Sequence, residues 1–348
     1  MNIRHPLAAI AFGLIYVTGL CCTSAIIPPG VSKSGNVMLW KHRDTSHSNN
    51  YVDTVRGQSP EFDYIALFNA SDSLKREAWA GVNRSGFAII NTVAGNLPKN
   101  RPCRADREGY VMSLALSKCK SVKDFETLLD TLPKPYGVRT DFGVIDSQGG
   151  MAYFETADNG YVKYVVPVNS TSPVIRTNYA CSAPPKGGYG YERFANAEAL
   201  LAEPAKVKLV TPELLTETLS RSYFSASECK DYSTTKTCTV KDNNFIPRPT
   251  SAASVVIELT ETGPVMWSVV GYPPASVMLP ATLDSVPKPL KRNPATGRSE
   301  QCDRANKLKH QMIGNGKIFM PAAKEISDSL RSVSLENYRA FREKMQFK

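Results

Sequence analysis

The chain has 348 residues, of which 42% are hydrophobic and 21% charged, and its formal net charge at pH 7 is +10. These values are typical of a globular protein with a large core, built as one large domain or two ordinary ones. They do not indicate a nucleic-acid partner, because the sequence has no zinc-finger spacing and no interleaved aromatic and basic motif.

The amino terminus has the pattern of a secretion signal. Arg4 precedes an apolar run of 14 residues, 7–20, which is shorter than the ~20 residues of a membrane-spanning helix. Gly19 and Cys21 are small residues at the third and first positions before Cys22, as signal peptidases prefer. We therefore predict a signal peptide over residues 1–21, export to the periplasm or the extracellular space, and a mature chain that begins with Cys22.

Two other interpretations of Cys22 are open. A lipid attachment site would need a leucine three residues before the cysteine and small residues between them, and Gly19-Leu20-Cys21 departs from that pattern. A purely structural Cys22 would be paired in a disulfide. In either case the chain would be a lipid-anchored or secreted binding protein without catalytic activity.

The segments after Cys22 predict antiparallel strands and then helices. Strands over residues 23–27 and 37–41 form a hairpin, which brings Asp44 back beside Cys22. Ser121 and Asp124 have capping-box spacing at the start of a helix. Further strands are predicted at residues 64–68, 78–83 and 87–92, and helices at 109–118 and 121–132.

The second half of the chain alternates in the same way. Strands are predicted at 142–146, 151–155, 161–166, 174–177, 253–260 and 265–270, and helices at 191–202, 214–223, 302–312 and 322–345. Hairpin-linked strands between pairs of helices favour an α+β fold of antiparallel sheets covered by helices. We place a catalytic domain at 22–279, and at 280–348 a basic, Pro-rich linker with a C-terminal helical extension packed on that domain.

The C-terminal stretch 286–348 carries fourteen Lys and Arg against six Asp and Glu, a net charge of +8. Such a stretch could hold the protein near anionic envelope polymers or membrane surfaces. A solvated face without a partner is the simpler explanation.

The eight cysteines suit an exported chain. If the signal removes Cys21 and Cys22 stays free, six remain, and these allow fifteen connectivities. Short loops suggest the pairs Cys103–Cys119 and Cys229–Cys238, which leaves Cys181–Cys302. A metal site is not indicated, because CxxC is absent and only two histidines lie close together, so no cofactor is predicted.

Five segments, in this order, resemble motifs of the N-terminal nucleophile hydrolases. They are CTSA at 22–25, LWKHRD at 39–44, GVNRSGFAIIN at 81–91, VIRTN at 174–178, and Arg248 before SAAS at 251–254. The resemblance is to the linear amide hydrolases, the branch of choloylglycine hydrolase, penicillin V acylase and the isopenicillin N acyltransferase type. It covers roughly residues 22–271.

The resemblance implies a four-layer αββα sandwich and cleavage of a linear amide outside a peptide backbone. It implies that Cys22 is the nucleophile, that Asp44 orients its α-amine, and that Asn91 and Asn178 donate to the oxyanion. Arg248 would favour the thiolate, and Lys41 or Arg43 would help it and bind an anionic substrate group. The chain departs from choloylglycine hydrolases in having Lys41 where they carry Arg, an extra Arg43, and a shorter segment before Asn91.

The chemistry of residue one supports this assignment independently. An α-amine has a pKa of about 7.7 to 8, so it can accept the thiol proton near neutral pH. The thiolate then forms a thioester with the acyl group of the substrate.

Three alternatives to this hydrolase remain. A Cys–His protease would use His42 or His47, but neighbouring strand residues face opposite sides, so Lys41 and His42 cannot both face one site. Transfer of the acyl group to an amine would replace hydrolysis in an acyltransferase. A binding protein without chemistry would use Cys22 only structurally. The predicted partner is a small-molecule amide, without nucleic acid or a membrane span; self-association is left open.

Overall fold

The first element of the fold is the predicted hairpin, formed by β1 (Thr23–Ile27) and β2 (Met38–Asp44). The two strands are antiparallel, and Ser24 lies opposite Lys41. Both strands are buried on both faces. The computed structural model describes residues 21–98, 106–242 and 244–346.

A seven-stranded antiparallel sheet follows, and its strands are neighbours in chain order. They are β3 (Asn50–Val55), β4 (Tyr64–Asn69), β5 (Ala80–Asn83), β6 (Ala88–Val93), β7 (Thr140–Ile145), β8 (Met151–Ala157) and β9 (Gly160–Val165). The helices α1 (Glu108–Lys118) and α2 (Val122–Thr131) lie between β6 and β7 in the chain. Ser121 caps α2 by accepting a hydrogen bond from the Asp124 N–H.

The next part of the chain returns to the first two strands. It begins with β10 (Val174–Arg176), α3 (Tyr191–Lys206) and three short strands, β11 (Phe224–Ser225), β12 (Lys230–Asp231) and β13 (Thr239–Lys241). It continues with β14 (Ser251–Thr260), β15 (Gly263–Val270) and β16 (Leu279–Ala281). Together with the hairpin, four of these strands form a six-stranded antiparallel sheet in the order β10-β1-β2-β14-β15-β16.

The chain ends with α4 (Glu300–Met312), the short strands β17 (Ile313–Gly314) and β18 (Lys317–Phe319), and α5 (Met320–Gln346). The side chains of Tyr338 and Phe341 in α5 contact Trp267 of the six-stranded sheet. Among the described residues, none of the helices combines the length and apolar character that crossing a bilayer requires. The predicted domain boundary at residue 280 stays a prediction. Strand β16 spans this position and belongs to the six-stranded sheet.

Three apolar clusters define the layers. The two sheets face each other across a core that includes Ile26, Leu39, Ile65, Ile90 and Val255. Helices α1 and α2 cover the outer face of the seven-stranded sheet through residues such as Met112, Leu116 and Phe125. Helix α3 and the end of α5 cover the outer face of the six-stranded sheet, where Leu201, Phe341 and Trp40 meet. The αββα sandwich predicted from the sequence is therefore confirmed.

Two of the longer elements differ from the sequence prediction, and the short strands β11–β13 and β16–β18 were not predicted. Strand β3 was not predicted, because its apolar residues are few and its place is fixed by pairing with β4. The helix predicted at 214–223 is a π-helical turn (Leu214–Thr218) followed by a 3₁₀ turn (Leu219–Arg221). The hydroxyls of Thr216 and Ser220 donate to main-chain carbonyls of the preceding turn, and such bonds compete with regular helical geometry.

The predicted disulfides are not present among the described cysteines. Cys119, Cys181, Cys229, Cys238 and Cys302 are free thiols, and Cys103 lies outside the described residues. The main chain at Cys181 bonds to Glu155 in β8, whereas the Cys302 thiol donates to Ser48 beside β3. Five strand spacings of about 4.8 Å separate β3 from β8, which a disulfide cannot span. Cys229 and Cys238 flank strands of two different small sheets.

Candidate active site

Cys22 lies immediately before β1 and is 5% exposed. Its thiol donates to the main-chain oxygen of Asp44, and the sulfur–oxygen distance is 3.8 Å. This contact follows from the hairpin register, in which Thr23 lies opposite His42. The structure therefore brings Cys22 and Asp44 together, as the predicted hairpin requires.

Cys22 is one of the residues that line a cavity of about 370 Å³. Strand alternation places Cys22, Lys41 and Arg43 on the face of the six-stranded sheet that looks toward the other sheet. Neither Asn178 nor Arg248 is among the described residues that line the cavity. Those residues are mostly polar: Cys22, Lys41, Arg43, Asp44, Thr45, Ser46, His47, Asn69, Glu77, Trp79, Asn91, Val93 and Asp106.

Asp44 is held by a buried hydroxyl. The Ser251 Oγ–H donates to Asp44 Oδ1 at 2.5 Å, and His42 Nε2 lies 2.8 Å from the same hydroxyl oxygen. Oδ2 of Asp44 is buried and has no hydrogen-bond partner among the described residues. Burial raises the pKa of Asp44 to about 7, against the opposing charges of Arg193 and Arg248.

His42 is not placed to be the base of a Cys–His pair. Burial lowers its pKa to about 3, so the ring is neutral at physiological pH. Because Ser251 donates to Asp44, we assign the His42 proton to Nε2, which donates to Ser251. His42 therefore supports the hydroxyl that holds Asp44, and Lys41 occupies the cavity instead.

Lys41 and Asn91 form a buried chain that ends at Glu108. Lys41 Nζ donates to the Trp79 carbonyl at 2.7 Å and to Asn91 Oδ1, and Asn91 Nδ2 donates to Glu108 Oε2 at 2.5 Å. Burial lowers the pKa of Lys41 to about 8 and raises the pKa of Glu108 to about 8. In this arrangement Asn91 positions the Lys41 ammonium, while its predicted role as an oxyanion donor stays a prediction.

Glu108 should make the stability of the protein depend on pH. Its pKa is raised from 4.5, so the native state holds a proton that the unfolded chain releases between about pH 4.5 and 8. The stabilisation that this carboxyl supplies is complete below pH 4.5 and is lost as the pH rises through 8. We therefore expect Glu108→Gln to be less destabilising at pH 8 than at pH 5, by on the order of 3 kcal/mol.

Denaturant unfolding of both proteins at the two pH values measures this difference. Glu126→Gln is the control, because the Glu126 pKa is lowered by hydrogen bonds from Lys123 and Lys163. That carboxyl stays ionised over the same interval, so its variant should show little change. A Glu108→Gln effect that is equal at both pH values would contradict the burial of a protonated Glu108.

Arg193 is a site residue that the sequence analysis missed. It is 1% exposed, and its Nη1 donates to the Cys22 carbonyl at 2.6 Å, the Cys21 carbonyl at 3.2 Å and Thr23 Oγ1 at 3.1 Å. Nη2 donates to Asn178 Oδ1 at 2.7 Å. Arg193 therefore fixes the main chain at Cys22 and the orientation of the Asn178 amide. One indication of this role is present in the sequence: an arginine falls among the buried positions of α3. The helix begins directly after Gly190, whose φ is +89°.

Arg43 is also fixed, by neutral partners. Its Nη1 donates to Asn50 Oδ1, its Nη2 donates to Asn69 Oδ1 at 2.9 Å, and its guanidinium carbon lies 4.8 Å from the centre of the Trp79 ring. Arg248, by contrast, is not among the described residues that line the cavity. Its Nε donates to Asp242 at 2.9 Å, and its main-chain N–H donates to the Ser251 hydroxyl. It therefore acts on the cavity through Ser251 and Asp44.

Among the described residues, no group of three or more His, Cys, Asp or Glu side chains is arranged to hold a metal ion. The positively charged and amide groups around Cys22 can stabilise a developing negative charge without a metal. The site thus combines Cys22 with the buried carboxyl group of Asp44 and with fixed amides, those of Asn91 and Asn178. Three buried cations complete it: Lys41, Arg43 and Arg193.

The chain is similar to solved structures of amide hydrolases. One is an ortholog of N-acylethanolamine-hydrolyzing acid amidase from Caenorhabditis elegans, with 12% identity over 68% of this chain and 92% of that chain and a TM-score of 0.46. Another is a variant of conjugated bile acid hydrolase from Clostridium perfringens, with 9% identity over 76% and 95% of the two chains and a TM-score of 0.42. A third is penicillin V acylase from Agrobacterium tumefaciens, with 11% identity over 76% and 87% and a TM-score of 0.41.

Penicillin V acylase, one of these solved structures, is also one of the enzymes that the sequence motifs resemble. No protein-family model matches the chain, and no curated protein matches it in sequence. Identities of 12% or less and TM-scores below 0.5 are too low to transfer a substrate or the role of a residue to this chain.

Proposed function

We propose that this protein is an exported amide hydrolase whose nucleophile is the Cys22 thiol, activated by the α-amine that removal of residues 1–21 creates. The observation that carries the proposal is the position of Cys22. It lies immediately before β1 and lines a polar cavity, and its thiol is within hydrogen-bond reach of the Asp44 main-chain oxygen. A hairpin that begins at the nucleophile places both the α-amine and the thiol at the same end of the sandwich.

Asp44 is suited to orient that α-amine. Its Oδ1 accepts from Ser251, whereas Oδ2 is buried without a partner among the described residues. A new ammonium beside it would supply a donor and would lower the Asp44 pKa, so that the carboxylate is ionised at neutral pH. A buried, ionised carboxylate fixes the direction of the amine that must face the thiol.

The reaction then proceeds in two halves. The α-amine accepts the thiol proton, the sulfur attacks the carbonyl carbon of the amide, and negative charge develops on the carbonyl oxygen. The C–N bond breaks, and the nitrogen leaves with the proton from the α-ammonium, giving a thioester and a free amine. A water molecule deprotonated by the same amine attacks the thioester and releases the carboxylic acid and the thiol.

The fixed polar groups near Cys22, some lining the cavity and some outside it, have separable roles in this scheme. The Asn178 amide, oriented by Arg193, is a candidate donor to the developing oxyanion, and such a donor contributes about 3 kcal/mol in known enzymes. The Lys41 ammonium, held by Asn91, is a second source of positive charge near the thiolate. The Arg248 main-chain N–H donates to the Ser251 hydroxyl that holds Asp44, and the Arg248 charge favours the ionised form of Asp44.

The mature amino terminus is the decisive test of the proposal. The protein recovered from the medium or the periplasm is analysed by intact mass and by amino-terminal sequencing. We expect a chain that begins with an unmodified Cys22. A diacylglycerol-modified or N-acylated Cys22 would falsify the amine-base mechanism and favour a lipid-anchored binding protein. Assays of released amine with and without an added acceptor amine then separate hydrolysis from acyl transfer.

Asp44→Asn and Asn178→Ala are each expected to lower turnover by roughly a hundredfold or more. The first removes the charge that orients the α-amine, and the second removes a candidate oxyanion donor. Steady-state kinetics on the best amide substrate measures both effects. Asp53→Asn is the control, because Asp53 lies on β3 in an ion pair with Lys75, outside the cavity. Unchanged kinetics in both variants would remove these two residues from the mechanism.

A further inference from the structure

Arg43 is a buried cation at the Cys22 cavity with no carboxylate partner. It is 3% exposed, and its partners are two amide oxygens, of Asn50 and Asn69, and the face of Trp79. None of the ion pairs among the described residues includes Arg43. Every Asp and Glu of the chain lies within the described ranges, so the remaining residues cannot supply a carboxylate side chain.

The charge of Arg43 persists at neutral pH. Burial lowers its pKa only to about 10, with the opposing influence of Cys22 and Asp106. A buried charge without a counter-charge is costly, and such charges in proteins are normally paired. An arginine that is unpaired in a ligand-sized cavity is therefore placed to receive its counter-charge from the ligand.

Lys41 strengthens this conclusion. Its acceptors are also neutral, the Trp79 carbonyl and Asn91 Oδ1. The cavity thus presents two cations. Three carboxyl groups, of Asp44, Glu77 and Asp106, also line it, but none of them is within ion-pair distance of either cation, although the Asp106 charge acts on both. The Arg43 guanidinium therefore has no direct carboxylate contact and can form one with an anionic group of the substrate.

The size and lining of the cavity restrict the remainder of the substrate. Its volume of about 370 Å³ is at the small end of the range of about 300–1,000 Å³ for ligand pockets. Trp79 and Val93 are the two hydrophobic side chains, apart from Cys22, among the described residues that line it. Such a lining offers little apolar surface to a long acyl chain or a large ring system.

We infer that the preferred substrate is a small amide that carries a carboxylate, and that Arg43 binds this carboxylate while Cys22 attacks the amide carbon. The inference rests on the proposed function, since it concerns the substrate of the same site. Asn50 and Asn69 each accept one hydrogen bond from the guanidinium and fix its orientation. The planar fork of the remaining N–H groups suits a carboxylate. Arg43 is thus a specificity-determining residue.

The test compares matched substrates that differ only in charge. N-butyrylglycine and N-butyrylglycinamide place the charge on the amine side of the scissile bond, and N-propylsuccinamate and N-propylsuccinamide place it on the acyl side. Release of glycine, glycinamide or propylamine is followed with the mature protein. We expect the carboxylate member of at least one pair to have a kcat/KM at least about tenfold higher. The pair that shows this preference identifies the side on which Arg43 lies.

Arg43 variants assign the preference to this residue. In Arg43→Gln the ratio of kcat/KM values within the preferred pair should fall to near one, mainly through a higher KM for the carboxylate. Arg43→Lys keeps the charge and should keep part of the ratio, and it serves as the second variant if the Gln protein does not fold. Arg56→Gln makes the same change of net charge on an exposed side chain and should leave the ratio unaltered.

The ratio separates binding from a structural role. If Arg43 has only a structural role, it connects β3 and β4 through its hydrogen bonds to Asn50 and Asn69. Its loss then lowers kcat/KM equally for both members of a pair, and their ratio stays the same. That result, or equal hydrolysis of charged and neutral members by the natural protein, overturns the inference and leaves the hydrolase function standing. Hydrolysis of neither member of either pair by a chain with free Cys22 counts against the proposed function as well.

Discussion

Replacement of Cys22 by alanine is expected to abolish amide cleavage and to leave the fold intact. The thiol is the group that forms the acyl-enzyme, and loss of such a nucleophile lowers turnover by about 10⁴-fold or more in comparable enzymes. Its single hydrogen bond among the described residues, to the Asp44 main chain at 3.8 Å, is long, so little stability depends on it. Cys22→Ser is expected to retain a trace of activity, since a hydroxyl is a poorer nucleophile at neutral pH.

The neighbouring cysteine provides a matched control for this experiment. Cys21→Ala makes the same change one position earlier, in the segment that the proposed signal cleavage would remove, and alanine suits the position before a cleavage site. Its mature product should be identical to that of the natural chain, with unchanged kinetics. Intact mass of each variant shows whether processing has occurred at the same bond. If loss of His42 or His47 abolishes activity while chemical blocking of the α-amine does not, a Cys–His pair replaces the mechanism argued above.

The fold could be predicted from the sequence wherever the local pattern was strong. The hairpin after Cys22 is marked by Pro and Gly at its turn, and the helix after Ser121 is marked by its capping hydroxyl. Strand β3 could not be recognised in the same way, because its position depends on the register with β4 and not on its own composition. The residues around Thr216 and Ser220 have helical periodicity, but their hydroxyls bind the main chain and distort the turn.

The site was predictable to the extent that it lies on the hairpin. Register alone brings Asp44 to Cys22, and strand alternation alone separates Lys41 from His42. Glu108 and Arg193 were not found, because they arrive from α1 and α3, and a single charged residue on a helix is usually solvated. Their burial depends on how the helices dock, which is a property of tertiary packing. The predicted pairs Cys181–Cys302 and Cys229–Cys238 were wrong for the same reason, since spacing along the chain says little about separation in space.

Arg193→Met is expected to lower kcat by roughly 10³-fold and the free energy of unfolding by about 3 kcal/mol. The substitution keeps much of the side-chain volume but leaves the Cys22 carbonyl, Thr23 Oγ1 and Asn178 Oδ1 without their shared buried donor. The main chain at Cys22 then loses the hydrogen bond that positions it. The Asn178 amide loses the hydrogen bond that fixes the orientation of its oxygen and nitrogen. Arg193→Lys should recover only part of the rate, because one ammonium cannot reach the Cys22 carbonyl, Thr23 Oγ1 and Asn178 Oδ1 together.

A second buried arginine separates this positioning role from a general loss of stability. Arg221 donates to the Pro274 and Ser276 carbonyls and pairs with Glu217 at 2.8 Å, outside the cavity. Arg221→Met should cost a comparable free energy of unfolding and yet leave kcat of the folded protein unchanged. A double-mutant cycle of Arg193→Met with Asn178→Ala should show strong non-additivity in kcat, since both changes disable the same amide. Additive effects, or a kcat for Arg193→Met no lower than for Arg221→Met, would mean that Arg193 stabilises the sandwich without positioning the nucleophile.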